Sequence, residues 1–584
     1  MKNIKKLSVI IFACCGILQA CKKDSSGNSN NGGTDTGTST GTIIPPTEPA
    51  IANTQGFFLD NWQAKIFTAP NYTTVAKPAL VGPVTVSVDL SQEITKVSNY
   101  EYGNNTNPFM GPISTDATLM ANIDNLSPNI IRFPGGSLSD IYFWDQSSQA
   151  PADAPAQLLD DNGNASPAGY WFGNSPDNWT MTVDDYYSLL SQSKSTGLIT
   201  VNYGYARYGT SANPAQVAAH YAANWVRYDK GRTTYWEVGN EVYGNWEAGY
   251  QIDPTANKDG QPTIQDGTTY GNHFKIFADS MRAAAAQVGN NNIKIGIVLT
   301  GANDQNVSGQ VDNWNANVLQ ASGNTADFFV VHNYYTPYEQ NSTPAVILGT
   351  PAPGTSGMMS WIKSSAQAAG VTQKPVAMDE WNIFATGSNQ MVSNVAGLHA
   401  VMVLGEALKD QISMASRWDL ANSWDGGDDQ GLFNNSSPAG GAEPNAPAWN
   451  ARPAFYYMYY FQNFIGDHLV SSSSNSGDIV SYGSSYTSGQ AGVILVNQGT
   501  GDHVVNINFK NFAAGSNYYY YTLKGGTDNS PFSHKVYVNG VGPAGDSGGP
   551  LNFLTIPASS SGITGGISVT VPALGAVYLV ADKK

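Results

Sequence analysis

Cysteine is almost missing from this chain: there are three, at positions 14, 15 and 21, and none follows. Everything beyond residue 21 therefore lacks disulfides, thiolate metal ligands and a cysteine nucleophile, and its stability has to come from packing. Basic residues are also scarce, with 28 Lys and Arg against 44 Asp and Glu and a formal net charge of −16. A surface of that sign repels phosphate backbones, which excludes nucleic acid as a partner. Charged residues of either sign make up only 12% of the chain. What stands in their place is Gly, Asn, Ser and Thr, a surface suited to neutral hydrogen-bonding partners such as uncharged polysaccharide. No apolar run reaches the roughly 18 residues needed to span a bilayer. No repeat with a period of roughly 20 to 50 residues is visible, which argues against solenoids and propellers.

The amino terminus is distinctive. Lys2, Lys5 and Lys6 precede an apolar stretch from Leu7 to Ile17, and Leu18-Gln19-Ala20 lead into Cys21. This pattern resembles a bacterial lipoprotein signal, with residues 1–20 as the leader. The resemblance implies that Cys21 carries a lipid and that the protein is anchored in the bacterial cell envelope, on the periplasmic or the surface face. Residues 21–50 are mostly Ser, Gly, Asn, Thr and Pro. They have too little apolar surface to build a core, and the expectation is a flexible tether.

Between residues 84 and 464 short apolar, β-branched runs alternate with segments of helical period. The strand candidates are VTVSVDL (84–90), NIIRFP (129–134), LITVNYG (198–204), TTYWEVG (233–239), IKIGIVL (293–299), DFFVVHNY (327–334), PVAMDE (375–380) and SMASRWDL (413–420). Apolar spacing predicts helices over 214–230 and 270–288. Eight such pairs predict an α/β fold, a (β/α)8 TIM barrel over 84–464. From 465 to 584 the texture changes to alternating strands separated by Gly, Asn and Ser turns, which predicts a C-terminal all-β sandwich domain. Residues 51–83 are expected to add a strand or strands to that sandwich.

Glu241 and Glu380 each follow an apolar strand candidate directly. That places both at the C-terminal mouth of the barrel, where this architecture carries its chemistry. Two carboxyl groups on separate strand ends suit glycoside cleavage, in which one donates a proton to the leaving oxygen and the other, ionised, attacks the anomeric carbon. Arg132 and Tyr334 lie at neighbouring strand ends and could hold one carboxylate ionised, while the negative charge of that group would raise the pKa of the other.

The motifs RFPGGSLSDIYFWD (132–145), VNYG (201–204), YWEVGNE (235–241), HNYY (332–335) and MDEWN (378–382) occur in this order. Together they resemble a clan A glycoside hydrolase, closest to family 51, the α-L-arabinofuranosidases, with families 39 and 79 as neighbours. The resemblance implies that Glu241 is the acid/base, that Asn240 contacts the sugar 2-hydroxyl and that Glu380 is the nucleophile. It implies no cofactor and no catalytic metal.

Other residues carry alternatives. Arg132 could support the nucleophile or form an ion pair inside the barrel, and His332 could bind sugar or fill the barrel's upper layer. Glu237, four residues before Glu241, reads as a structural partner of a base. Pro134-Gly135-Gly136 reads as a structural turn. Of Trp144, Trp171, Trp179, Trp246, Trp381, Trp418 and Trp424, two or three are expected to line a cleft, with Trp246 and Trp418 foremost. The loop Asp425 to Asp429 reads as calcium-binding or, on its spacing, simply solvated. Residues 145–180 form an insertion at the mouth, where substrate subsites are shaped. The reading is a retaining glycoside hydrolase of arabinofuranosidase type. The alternatives are an endo-acting xylanase or glucanase of the same clan and a non-catalytic carbohydrate-binding lipoprotein.

Overall fold

The structure, a computed structural model, describes residues 43–302, 308–435 and 443–584. The leader, Cys21 and most of the expected tether lie outside the described residues. Eight parallel strands close into a barrel: β1 (Gly103–Asn105), β2 (Ile130–Phe133), β3 (Thr196–Val201), β4 (Tyr235–Val238), β5 (Lys294–Val298), β6 (Phe328–Tyr334), β7 (Val376–Asn382) and β8 (Ala415–Arg417). The predicted helices span Pro214–Asp229 and Gly267–Gln287. Among the described residues no helix is long and apolar enough to cross a membrane.

One strand assignment needs correction. VTVSVDL does not open the barrel. It begins the strand Val84–Lys96, which pairs with His468–Ser474 and His503–Lys510 in the second sheet. The physical reason is that burial alternates residue by residue from Val84 to Leu90, as in a strand with one covered face, whereas parallel barrel strands are enclosed on both faces. The true first strand, Gly103-Asn104-Asn105, is wholly buried but contains no apolar side chain, so it sends no hydrophobic signal. The barrel therefore starts near residue 103 rather than 84.

The second sheet has eleven strands and is mainly antiparallel. Its central strands show how it is held. In Ala491–Asn497, Val493 and Leu495 enter a small core formed by the sheet curling on itself, while Ile494 and Val496 enter the large core shared with the barrel. Gly575–Lys583 repeats the arrangement, with Val577 and Leu579 on one side and Tyr578 and Val580 on the other. The helix Asn394–Lys409, caught between barrel and sheet, is buried along nearly its whole surface. Upstream, Tyr72–Thr74 pairs in parallel with Ala558–Gly562 at the sheet's end. Before it, Thr54 accepts from the N–H of Val376 at 2.8 Å and Phe58 packs on Tyr235 and Phe328, closing the barrel's N-terminal end opposite the mouth.

Gly103 fits only because it lacks a side chain. A Cβ there would run into Ser416 Oγ and lie 2.8 Å from both the Ala415 carbonyl oxygen and Ile130 Cγ2. Gly103→Ala should destabilise the protein by about 1–3 kcal/mol through overpacking. Equilibrium denaturation should show a lowered midpoint, and an unchanged midpoint would mean that β1 moves freely against β8.

Candidate active site

The mouth is organised by a cation. Arg132, on β2, is fully buried. Its Nε and Nη2 donate to Glu237 at 2.8 and 3.3 Å, and its Nη1 donates to Glu380 at 3.0 Å and to Asn105 at 3.0 Å. Nη2 also donates to Asn240 Oδ1 at 2.7 Å, and Nε lies 3.5 Å from Asp379. The two roles considered for Arg132 are thus both present, an interior ion pair with Glu237 and a direct contact with Glu380. Glu237 additionally accepts from Thr200 Oγ1 at 2.7 Å and faces the barrel interior, in keeping with a structural role.

Asp379 and Glu380 are consecutive, so a regular strand would send them to opposite faces. Here both reach inward, and the register of β7 shifts against both neighbours, between Val330 and His332 on β6 and between Met378 and Trp381 on β7 itself. Such an irregularity re-aims side chains next to a site. Glu380 receives the Tyr334 hydroxyl at 2.5 Å in addition to Arg132. Glu241, just beyond β4, has φ +40°, a left-handed conformation that strains a residue with a side chain. Its carboxylate accepts from Trp246 Nε1 at 2.9 Å and Tyr243 OH at 3.2 Å, and meets His332 Nδ1 at 3.0 Å.

His332 binds the arrangement together. Its Nδ1 lies 3.0 Å from Glu241 and 3.6 Å from Glu380, and its Nε2 lies 3.3 Å from Asp379. Burial pushes its pKa down, but Glu380, Asp379 and Glu241 together hold it well above the usual imidazole range. This charge reverses the sequence expectation for the two glutamates. Burial would raise Glu241, yet the His332 hydrogen bond and charge, with Trp246 and Tyr243, carry it below the ordinary carboxylate range. For Glu380 burial, helped by the charge of Glu241, outweighs His332, Arg132 and Tyr334 and leaves it raised. The expectation left out a second cation seated closer to Glu241 than to Glu380.

Oxygens of Glu241 and Glu380 and a nitrogen of His332 lie within 4.8 Å of one another, as do ligand atoms of Glu237, His332 and Asp379. In another protein such a convergence would crowd a divalent cation. Here Arg132 and the imidazolium already supply the positive charge. Two of the three carboxylates of the Asp425 to Asp429 loop are held by backbone donors: Asp429 accepts the N–H groups of Asp425 and Gly427, and Asp428 accepts those of Gly387 and Ser388.

The tryptophans divide. Trp246 is 48% exposed beside Glu241. Trp418, partly exposed, lies across the glycine turn: a Cβ on Gly136 would be 2.6 Å from its ring, and Gly136 has φ +64°. Trp144 stacks on Trp225 in the core, and Trp381 is buried. Trp171 and Trp179 meet edge to face within the mouth insertion, and Trp424 faces His534 of the second sheet's loops. Sequence reasoning missed Asn105, Asp379, Tyr243, Asp140 and Glu247. The acidic neighbour in MDEWN was a usable signal for Asp379. Asn105, in a strand with no apolar residue, offered none.

Residues 122–345 match the family model of the α-L-arabinofuranosidase 1 domain. No curated protein matches the sequence. Among solved structures, the α-L-arabinofuranosidase of Thermotoga maritima is 16% identical with a TM-score of 0.56, over 85% of this chain and 99% of that one. The family 51 α-L-arabinofuranosidase of Thermotoga petrophila is likewise 16% identical with a TM-score of 0.58, over 85% and 100%. A family 44 xyloglucanase of Paenibacillus polymyxa is 13% identical with a TM-score of 0.52, over 86% and 99%. At these identities the structures establish the shared fold, a TIM barrel with a β-sandwich. With the matched domain they bear out the resemblance to family 51 and clan A and the assignment as a glycoside hydrolase.

Because its folded pKa is raised, the stability that His332 contributes is fully present below the unfolded value near 6.5 and is lost as pH rises through the folded one. Removing one of its anions should lower the folded value. Glu241→Gln should therefore shift the His332 titration, followed by NMR of its ring carbons, to lower pH. A titration that stays in place would show that Glu241 does not hold the proton there.

Proposed function

We propose that this glycoside hydrolase of family 51 type is a retaining α-L-arabinofuranosidase with Glu380 as nucleophile and Glu241 as acid/base. The observation that supports it most is that the two carboxylates meet at one imidazole nitrogen, with oxygens 3.0 and 3.6 Å from His332 Nδ1, so that their nearest oxygens lie within 4.8 Å of each other. Retention uses carboxyl groups roughly 5–5.5 Å apart, whereas inversion needs roughly 6.5–9.5 Å to admit a water. Glu380 is gripped from two sides by Arg132 and Tyr334, which orients one oxygen for attack on the anomeric carbon. Glu241 stands beside the exposed Trp246, on the side where a leaving group would depart.

In the first step the bond from the anomeric carbon to the leaving oxygen breaks as Glu380 forms a glycosyl ester. Glu241, ionised at rest, takes a proton from the hydrogen-bonded His332 imidazolium and delivers it to that oxygen, which leaves Glu241 ionised and His332 neutral. In the second step Glu241 takes a proton from water and passes it back to His332, while the water oxygen attacks the anomeric carbon and releases Glu380. One water is consumed and both glutamates return to their starting states.

Glu241→Ala and Glu380→Ala should each lower turnover of 4-nitrophenyl α-L-arabinofuranoside by about 10²–10⁴-fold. Proton NMR of the first-formed product should show the anomeric configuration of the substrate. Full activity in either variant, or an inverted product, would overturn the assignment.

A second reading, endo-cleavage of a xylan- or glucan-type chain, draws on the mouth insertion. Its hairpin, Gln157–Leu159 with Ala165–Pro167, reaches the loop after β4, where Asp161 accepts from Asn245 Nδ2 at 3.0 Å beside Trp246. This adds wall on the leaving-group side, enough to seat further sugars. Comparing arabinan, arabinoxylan, xylan and xyloglucan as substrates separates the two: free arabinose as sole product favours the first, and oligosaccharides favour the second.

We also propose that a lipid on Cys21 holds the enzyme in the bacterial cell envelope, a reading carried by the leader sequence alone. Cells expressing the full chain should incorporate labelled palmitate into it and retain it in the membrane fraction, and Cys21→Ser should abolish both. Unchanged labelling in that variant would refute the anchor.

A further inference from the structure

Glu247 takes no part in the reaction as described, yet it is built into the same site. It is 4% exposed and lies six residues past Glu241 in the loop after β4. Its Oε1 accepts from Ser137 Oγ at 2.8 Å and from Asn240 Nδ2 at 2.9 Å, while its Oε2 is enclosed without a hydrogen-bond partner. The side-chain oxygen and the backbone N–H of Asn240 are also occupied. Its Oδ1 accepts from Arg132 at 2.7 Å, and its backbone N–H donates to Asp140 Oδ2 at 3.0 Å. Asp140 in turn accepts the N–H groups of Tyr203 and Gly204, which fixes the carboxylate that fixes the Asn240 backbone.

These contacts dictate which way the Asn240 amide points. Rotated by half a turn, it would set its oxygen against Glu247 Oε1 and its NH₂ against the Arg132 guanidinium, losing two hydrogen bonds and creating two like-with-like contacts. As found, one N–H of the NH₂ goes to Glu247 and the other is left for a ligand. We propose that Glu247 is a positioning residue: with Ser137 and Arg132 it locks the side-chain amide of Asn240 so that its second N–H is presented to the 2-hydroxyl of the bound glycone. The proposal rests on the functional reading above for the partner of Asn240.

The geometry also specifies the form in which Glu247 works. An ionised carboxylate would leave Oε2 as a buried, unpartnered anion facing Asp140 and Glu241. Burial first, and then those two neighbours, hold its pKa well above the carboxylate range. A neutral acid accepts through one oxygen as well as an amide does, so glutamine is a faithful substitute and alanine is not.

The test compares Glu247→Gln and Glu247→Ala on 4-nitrophenyl α-L-arabinofuranoside and on its 2-deoxy analogue, with thermal melts confirming that both variants fold. Glu247→Ala should lose about 10–100-fold in kcat/KM on the parent glycoside, mainly in kcat, because the contact it orients strengthens toward the transition state. On the 2-deoxy analogue, where Asn240 has no hydroxyl to meet, wild type and Glu247→Ala should agree within about threefold, and Glu247→Gln should track wild type on both substrates. Equal losses for Glu247→Ala on the two substrates would reduce Glu247 to a structural residue. A Glu247→Gln variant as impaired as Glu247→Ala would show that an anion is required. Wild type inactive on the arabinofuranoside would instead count against the substrate assignment, and the same pair of variants is then compared on the cleaved glycoside and its 2-deoxy form.

Discussion

The site depends on one buried guanidinium. Taking Arg132 out of water is tolerable only where its donors are met in full, and here they are met by Glu237, Glu380, Asn105 and Asn240, with Asp379 close by. The partners come from strands β1, β4 and β7 or the residues just beyond them. The planar fork of Arg132 therefore sets the mutual placement of groups that are far apart in sequence. Each partner is also a reason for the others to stay where they are, because the loss of one would leave charge uncompensated in a low-dielectric interior.

His332 adds a second centre of positive charge, and the two cations divide the labour. Arg132 cannot lose its proton, so it acts as a fixed counter-charge. His332 can, and it touches Glu241, Glu380 and Asp379 at once. The cleft thus contains one permanent and one exchangeable positive charge among four acids, an arrangement that lets a single proton move without leaving a bare charge behind. Glu241, held at a strained backbone angle between Trp246 and His332, is the carboxylate of the four that lies nearest the solvent side.

Much of this was legible in the sequence. Seven of the eight barrel strands showed as apolar runs, and Arg132, Asn240, Glu241, His332, Tyr334 and Glu380 all converge where their strand ends predicted. What was not legible failed for physical reasons. Gly103-Asn104-Asn105 is a strand because of its neighbours' hydrogen bonds and the room its glycine leaves, neither of which is written in hydrophobicity. VTVSVDL misled because strong β-propensity says nothing about which sheet will take the strand. The directions of the glutamate pKa shifts were misjudged because they depend on less than an ångström of difference in distance from one imidazole. Glu247 escaped notice because only its contact with Asn240 distinguishes it from an ordinary loop carboxylate.

The displaced strand has a consequence for how the molecule is made. Val84–Lys96 finds its hydrogen-bonding partners in His468–Ser474 and His503–Lys510, so the whole barrel is threaded between two strands that lie side by side. During synthesis at about 5–20 residues per second, the early strand waits on the order of tens of seconds for its neighbours to emerge. For that interval a run with alternating valines has an unpaired edge and an uncovered apolar face, the features that promote association with other chains. The second sheet is thus no detachable module but a clasp whose early half stays open until residues 468–510 have been made.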